Sequence, residues 1–284
     1  MRFGIYCANF GSLGDPAVLV DLAERAERAG WEGYFLYDHV QIVPARAVPI
    51  VDPWSILAVV ADRTKLTFGP LVTPVARRQP WELALQALTL NRLSEGRLVL
   101  GVGLGEALDF TSFGLDDDPA ERARGLDEGL ELLEQLWSAE PVRHTGRWTV
   151  HDACLAPEPV GAGIPIWVAG RYGRRAPMAR AARFQGAFPI DVEWDVDRPL
   201  SAARLRETVS VLAELRGGLD GFEIVTAGTT PADPEQAGAA VAAHERSGAT
   251  WWLEIIAPTR GTLTELQDRV DRGPPGPRPR GSGG

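Results

Sequence analysis

Apolar residues return along this chain in two alternating rhythms. Short runs rich in β-branched and aromatic residues have the two-residue period or continuous apolarity of strands, and longer stretches repeat apolar positions every three or four residues, as helices do. Strand-like runs fall at Phe3–Ala8, Gly33–Tyr37, Leu66–Thr73, Arg97–Gly101, Ile166–Ala169, Gly186–Ile190, Phe222–Ala227 and Trp251–Ile256. Helical patterns follow each in turn, at Pro16–Ala29, Pro53–Asp62, Pro80–Leu93, Pro119–Ser138, Arg174–Phe184, Ser201–Arg216, Pro234–Ser247 and Thr262–Val270. Four helices are announced by Asp-Pro pairs (Asp15-Pro16, Asp52-Pro53, Asp118-Pro119, Asp233-Pro234), which put a capping carboxylate before a proline at the first helical position. Glycine closes others, as in Ala29-Gly30 and Ser247-Gly248. Eight strand–helix units in one chain of this length predict an α/β fold of the closed, parallel (β/α)8 TIM-barrel kind rather than an open doubly wound sheet.

The rhythm breaks once, between the fourth helix and the fifth strand. Residues 140–165 hold a strand-like run from Val142 to Val150, with a turn at Thr145-Gly146, and then a proline-rich connection, predicting a short excursion on the barrel. Residues 1–272 are expected to form one barrel domain. The stretch 273–284 is Pro, Gly, Arg and Ser almost throughout, and its composition predicts disorder.

The 284 residues are 45% hydrophobic and 24% charged with a net charge of -9, the composition of a globular enzyme with no overall basic field to attract nucleic acid. The first residues lack the charged-then-apolar order of a signal peptide and no apolar run is long enough to span a bilayer, so a cytoplasmic protein without membrane association is expected. Two cysteines, Cys7 and Cys154, make neither a disulfide framework nor a zinc spacing, and both are expected reduced. Lys65 is the single lysine, and it precedes a strand, at the end of a barrel remote from chemistry.

Barrel enzymes react on the loops that leave the C-terminal ends of their strands. Those positions here are Cys7 to Asn9, Asp38-His39, Thr73-Pro74, Gly103 to Glu106, Gly170-Arg171, Asp191 and Thr229-Thr230. His39 is one of four histidines and the one placed at a strand end, where it serves either proton transfer or a loop hydrogen bond; His144, His151 and His244 read as structural. Glu106 follows Gly103-Leu104-Gly105, whose glycines admit a flat ligand, yet a solvated loop carboxylate explains it equally well. Gly170-Arg171, opening a helix, suits a phosphate or is a solvated basic turn. Metal, Walker, nucleophile-elbow and dinucleotide signatures do not occur, which points the hard chemistry to a bound organic cofactor.

The stretch from Arg63 to Glu106 (RTKLTFGPLVTPVARRQPWELALQALTLNRLSEGRLVLGVGLGE), together with AERAGWEGYFLYDH, LDEGLELLEQLW and IPIWVAG, resembles the bacterial-luciferase-like flavin-dependent oxidoreductases. The resemblance runs from residue 1 to the eighth strand. It implies a barrel binding FMN or the deazaflavin coenzyme F-420, with Asp38 and His39 beside the ring. It implies a non-proline cis peptide near Pro70-Leu71-Val72 under the ring and a phosphate held by Ala169, Gly170 and Arg171. Gly105-Glu106-Ala107-Leu108 is similar to deazaflavin-dependent sugar-phosphate dehydrogenases, where the glutamate takes part in proton transfer; this tilts the cofactor toward a deazaflavin, although that group's phosphate-binding lysine has no counterpart. The function expected is hydride transfer or oxygen insertion on a small organic substrate, with His39 and Glu106 catalytic and no metal. A non-catalytic flavin-binding barrel and a metal-dependent barrel hydrolase are the alternatives. A homodimer is expected on the resemblance alone.

Overall fold

The computed structural model describes residues 1–191 and 199–275. Its strands are β1 (Arg2–Cys7), β2 (Gly33–Leu36), β3 (Thr67–Pro70), β4 (Thr73–Pro74), β5 (Leu100–Gly103), β6 (Val142–Thr145), β7 (Thr149–Ala153), β8 (Ile166–Arg171), β9 (Gly186–Ile190), β10 (Glu223–Gly228) and β11 (Trp251–Ile256). Its helices are α1 (Pro16–Arg28), α2 (Pro53–Arg63), α3 (Pro80–Leu93), α4 (Leu108–Thr111), α5 (Pro119–Leu136), α6 (Arg175–Ala181), α7 (Ala202–Arg216), α8 (Pro234–Glu245) and α9 (Leu263–Asp271).

The main sheet runs β3-β2-β1-β11-β10-β9-β8-β5-β4, and every neighbouring pair is parallel. Its two ends meet where Phe68 bridges to Leu98: the Phe68 amide donates to the Arg97 carbonyl (3.2 Å) and the Val99 amide to the Phe68 carbonyl (2.9 Å). The strands thus form the closed parallel barrel that the alternation predicts, with β4 resuming the third strand after a break. That break is a cis peptide bond between Leu71 and Val72.

All four Asp-Pro signals start helices, the carboxylates of Asp15, Asp52, Asp118 and Asp233 accepting from backbone amides in the first turn. The excursion is an antiparallel hairpin of β6 and β7 packed on α5, where Glu128 accepts from His144 (2.8 Å) and from the Trp148 amide (3.2 Å). The fourth strand of the barrel starts at Leu100, later than the expected Arg97, because residues 97–99 make only the single bridge to Phe68 before the ladder with β8 begins at Leu100. Just past α9 the Gly273 carbonyl accepts from Arg269 (3.0 Å); residues 276–284 of the tail expected to be disordered lie outside the described residues. Lys65 stands exposed just ahead of β3, at the N-terminal rim.

Aromatic rings fill the barrel. Phe35, Trp167 and Trp251 meet across its lower half at centroid separations of 5.1, 5.9 and 5.6 Å. One layer nearer the C-terminal ends, Tyr6 lies 4.2 Å from Tyr37 and 5.6 Å from Phe188, and these rings floor the mouth. Such edge-on and tilted contacts between large buried rings contribute about 0.5–1.5 kcal/mol each beyond their area.

Candidate active site

The mouth is built around two buried carboxylates that meet through an arginine. Asp38, at the end of β2, is fully surrounded by donors: the Trp54 indole (3.2 Å), the Thr73 hydroxyl (2.8 Å), Arg77 Nη2 (2.7 Å) and Arg78 Nη2 (2.8 and 2.9 Å). A carboxylate buried to this degree is tolerable only with such a set of charged and neutral donors. Its side chain therefore holds the wall of the mouth in place through the segment after β4.

Asp109 is the second. It sits on α4, a single helical turn, with its side chain 1% exposed. Its Oδ2 lies 2.8 Å from His39 Nδ1, and its Oδ1 accepts from the amides of Val40 (2.8 Å) and Gln41 (3.1 Å). Arg77 Nη1 approaches the same Oδ1 at 3.6 Å, so one guanidinium spans both carboxylates. Burial alone would raise the Asp109 carboxyl, but the hydrogen bond and charge of His39 and the two amides together hold it below the ordinary carboxylate range. His39 is a quarter exposed, 24% at the side chain, and packs edge-on against Tyr37 and Phe10. Its backbone carbonyl accepts from Asn9 Nδ2 (2.9 Å), which also donates to the Val51 carbonyl (2.8 Å).

Glu106 is exposed at the turn before α4, its carbonyl accepting from the Asp109 amide (3.1 Å), so the two expected catalytic residues are joined through Asp109. Burial raises the Tyr6 phenol on the barrel floor, and the charges of Tyr37 and Glu106 push it the same way. Gly105 before it has φ +71°, and a Cβ there would come within 2.6 Å of Pro74, so glycine is required on both counts. Arg122, reaching in from α5, donates to the Gly105 carbonyl (2.9 Å) and lies over the Phe110 ring at 5.1 Å, pinning this loop.

The residues expected to contact a cofactor divide. Val72 and Ala169 close over buried Gly103, where a Cβ would come within 2.9 Å of Val72 and 3.4 Å of Ala169, so this glycine permits close packing, and the two half-buried apolar side chains present their own surface. Leu71 is fully buried, its amide bonded to the Leu36 carbonyl (2.7 Å), and Pro70 ends β3. Gly170 backs onto α6, since a Cβ there would meet Pro177 at 2.4 Å; what it permits is close packing of that helix. Arg171 ends β8 and is exposed, as are Arg174 and Arg175 beyond it. Thr230, also at a strand end, is bound to buried Glu254 and is part of the barrel's outer packing. His244 is buried between the carbonyls of Ala240 and Leu200, a structural placement. Among the described residues no group of three or more His, Cys, Asp or Glu is placed to hold a metal ion.

Asp109, Arg77 and Arg78 escape the sequence reading. The arginine pair directly follows the third strand, and Asp109 lies three residues past Glu106, one helical turn on. A second carboxylate at that spacing was the available signal; its histidine partner, 70 residues away, was not.

A model of the luciferase-like monooxygenase family matches residues 1–245. The chain belongs to that family. A relative described as an F420-dependent glucose-6-phosphate dehydrogenase, from Intrasporangium calvum, is 37% identical over 224 residues, covering 72% of this chain and 66% of the relative. The match thus spans just under two thirds of that protein. Among solved structures, an F420-dependent secondary alcohol dehydrogenase in complex with an F420-acetone adduct superposes with a TM-score of 0.78 at 15% identity, covering 95% of this chain and 99% of that one. The FMN complex of the oxygenating constituent of 3,6-diketocamphane monooxygenase from Pseudomonas putida superposes with a TM-score of 0.67 at 20% identity, covering 85% and 71%. At these identities the structural likeness establishes the shared barrel fold.

Proposed function

We propose that this chain is a deazaflavin-dependent oxidoreductase that transfers hydride to or from a small hydroxylated or carbonyl substrate. The observation that carries the reading is the pairing of His39 with buried Asp109, one helical turn past Glu106, on the C-terminal face of a luciferase-like barrel. The name carried by the Intrasporangium calvum relative favours the deazaflavin over FMN.

The residues fit such a group. Val72 and Ala169, half-buried and packed over Gly103, offer an apolar surface for a planar ring, and Pro70 and Leu71 beside Val72 in the chain are buried. Exposed Arg171, at the edge of the mouth, suits a phosphate, and Gly105 leaves the loop carrying Glu106 close to the wall. Asp38 supports the same wall through Arg77 and Arg78. When bound, a deazaflavin supplies a two-electron hydride acceptor or donor. The chain's own contribution is the proton: His39 exchanges one with the substrate oxygen, and Glu106, exposed at the loop, offers a second titratable group in contact with solvent. A cytoplasmic location belongs to this reading, supported by two free cysteines. So does a homodimer, for which exposed Leu85 and Leu93 on α3 offer an apolar strip.

Titrating the apoprotein with the oxidised deazaflavin and separately with FMN, following fluorescence quenching, tests the proposal. Tight binding of the deazaflavin, followed by its reduction when a secondary alcohol or sugar is added, is the expected result. Preference for FMN with oxygen consumption replaces it with a monooxygenase, and binding of neither overturns it.

A further inference from the structure

We propose that Asp109 is the positioning residue of the site: it fixes the tautomer and aim of His39, so that Nε2 faces the reaction as the proton acceptor. The inference rests on the oxidoreductase reading above and deepens it. Three features of the geometry carry it. His39 Nδ1 is 2.8 Å from Asp109 Oδ2, and the Asp109 side chain is 1% exposed, so water does not compete for the contact. The carboxylate itself cannot rotate, because Oδ1 is held by the amides of Val40 and Gln41, the two residues that follow His39 in the chain. The loop that carries the imidazole is therefore clamped by the same group that orients the ring. Arg77 completes the arrangement, its Nη1 3.6 Å from Oδ1 and its Nη2 on Asp38 Oδ1 (2.7 Å) and on the Asp38 carbonyl (3.1 Å). With this cation alongside, Asp109 stays ionised where it is buried.

An ionised carboxylate only accepts, so the hydrogen in the contact must sit on Nδ1 of the imidazole. A neutral histidine then carries its lone pair on Nε2, for which no partner occurs among the described residues. In the oxidative direction the hydroxyl proton of the substrate would pass to Nε2 as its C=O bond forms, and a bound oxidised deazaflavin would supply the acceptor for the hydride. The imidazolium that results faces the Asp109 carboxylate and is stabilised by it, a division of labour known from other carboxylate–histidine pairs.

Asp109→Asn is the discriminating change. The amides of Val40 and Gln41 still demand an acceptor, so the Asn side-chain oxygen takes the Oδ1 position and its NH2 group faces His39 Nδ1. The ring is thereby forced into the tautomer protonated on Nε2, the wrong form for a base. Long-range ¹H–¹⁵N correlation spectra of histidine-labelled apoprotein read this without any cofactor: the wild type is expected to show His39 protonated on Nδ1 and the variant on Nε2. Turnover is expected to fall about 10²- to 10⁴-fold, with the substrate KM and the deazaflavin Kd moving less than about threefold. A wild-type His39 protonated on Nε2 overturns the inference even if the variant fails to fold. Turnover of Asp109→Asn within about threefold of wild type also overturns it, whatever the tautomer. Absence of any deazaflavin-linked turnover in the wild type is instead a failure of the functional reading, and the apoprotein spectra are independent of it.

Discussion

At the scale of single residues, the site depends on where protons and charges are allowed to be. Replacing His39 with Ala removes the ring that faces the mouth while leaving Asp109 bound to two amides and near Arg77. Turnover is expected to drop about 10²- to 10⁴-fold in steady-state assays, with the fold intact and the lost Asp109 hydrogen bond costing about 1–3 kcal/mol in denaturant unfolding. Asp109 also links the site to acid stability. Its folded pKa is depressed, so the stability it contributes is present above the ordinary carboxylate pKa and is lost as pH falls through the folded value. Urea midpoints measured downward from neutral pH should decline below about pH 4 more steeply for the wild type than for Asp109→Asn. Cys7 acts with the opposite sign. Burial pushes its thiol up to about 12, the hydrogen bond with Tyr34 offsetting this in part, so its stability is complete below the ordinary thiol pKa and is lost as pH rises through the folded value. With Ellman's reagent near pH 8, exposed Cys154 should react at once and Cys7 only on unfolding; rapid reaction of both thiols would contradict the burial of Cys7.

Elements bring these residues together, and they differ in how far the sequence discloses them. The strands and the Asp-Pro caps are local: alternation, burial and a capping carboxylate two or three residues from its amide are all written within one turn of chain, and all four caps are where the reading placed them. The pieces that shape the mouth are not local. The third strand breaks at Leu71-Val72 although its apolar run continues to Thr73, and α4 is one turn whose footing is a histidine and two amides from the loop after β2. Asp38-His39 and Glu106 stood out because they follow strands; Asp109 and the arginine pair did not, because their meaning lies in contacts across 35 to 70 residues. Arg122 shows the same dependence at the level of α5. It is 8% exposed, and its Gly105 contact ties that helix to the Glu106 loop. Arg122→Met, which keeps most of the apolar stem, should cost about 1–3 kcal/mol in denaturant unfolding and weaken cofactor binding more than it alters the pH dependence of turnover. An unchanged cofactor Kd would show that the loop holds its shape without it.

For the whole molecule, closure of the barrel is reinforced on the outside of its last strand. Glu254 on β11 is fully buried and accepts from Arg269 (3.2 Å), Arg260 (3.1 Å) and both the amide and hydroxyl of Thr230, joining β10, β11 and α9. Removing it leaves two guanidinium groups facing one another without an anion. Glu254→Ala is therefore expected to destabilise the fold by about 3–5 kcal/mol, read as a loss in urea midpoint, whereas a loss below about 1 kcal/mol would mean that water replaces the carboxylate. Charge at these interior positions is carried by arginine, and the same preference leaves a single side-chain amine on the surface, at the N-terminal rim opposite the mouth. Reagents that couple through lysine thus find one handle. The α-amine of Met1, which directly precedes β1, lies on the same rim, so molecules immobilised on an activated support through either amine would stand the same way up, with His39 and its loops turned toward the liquid, an oriented catalytic film obtained without engineering a tag.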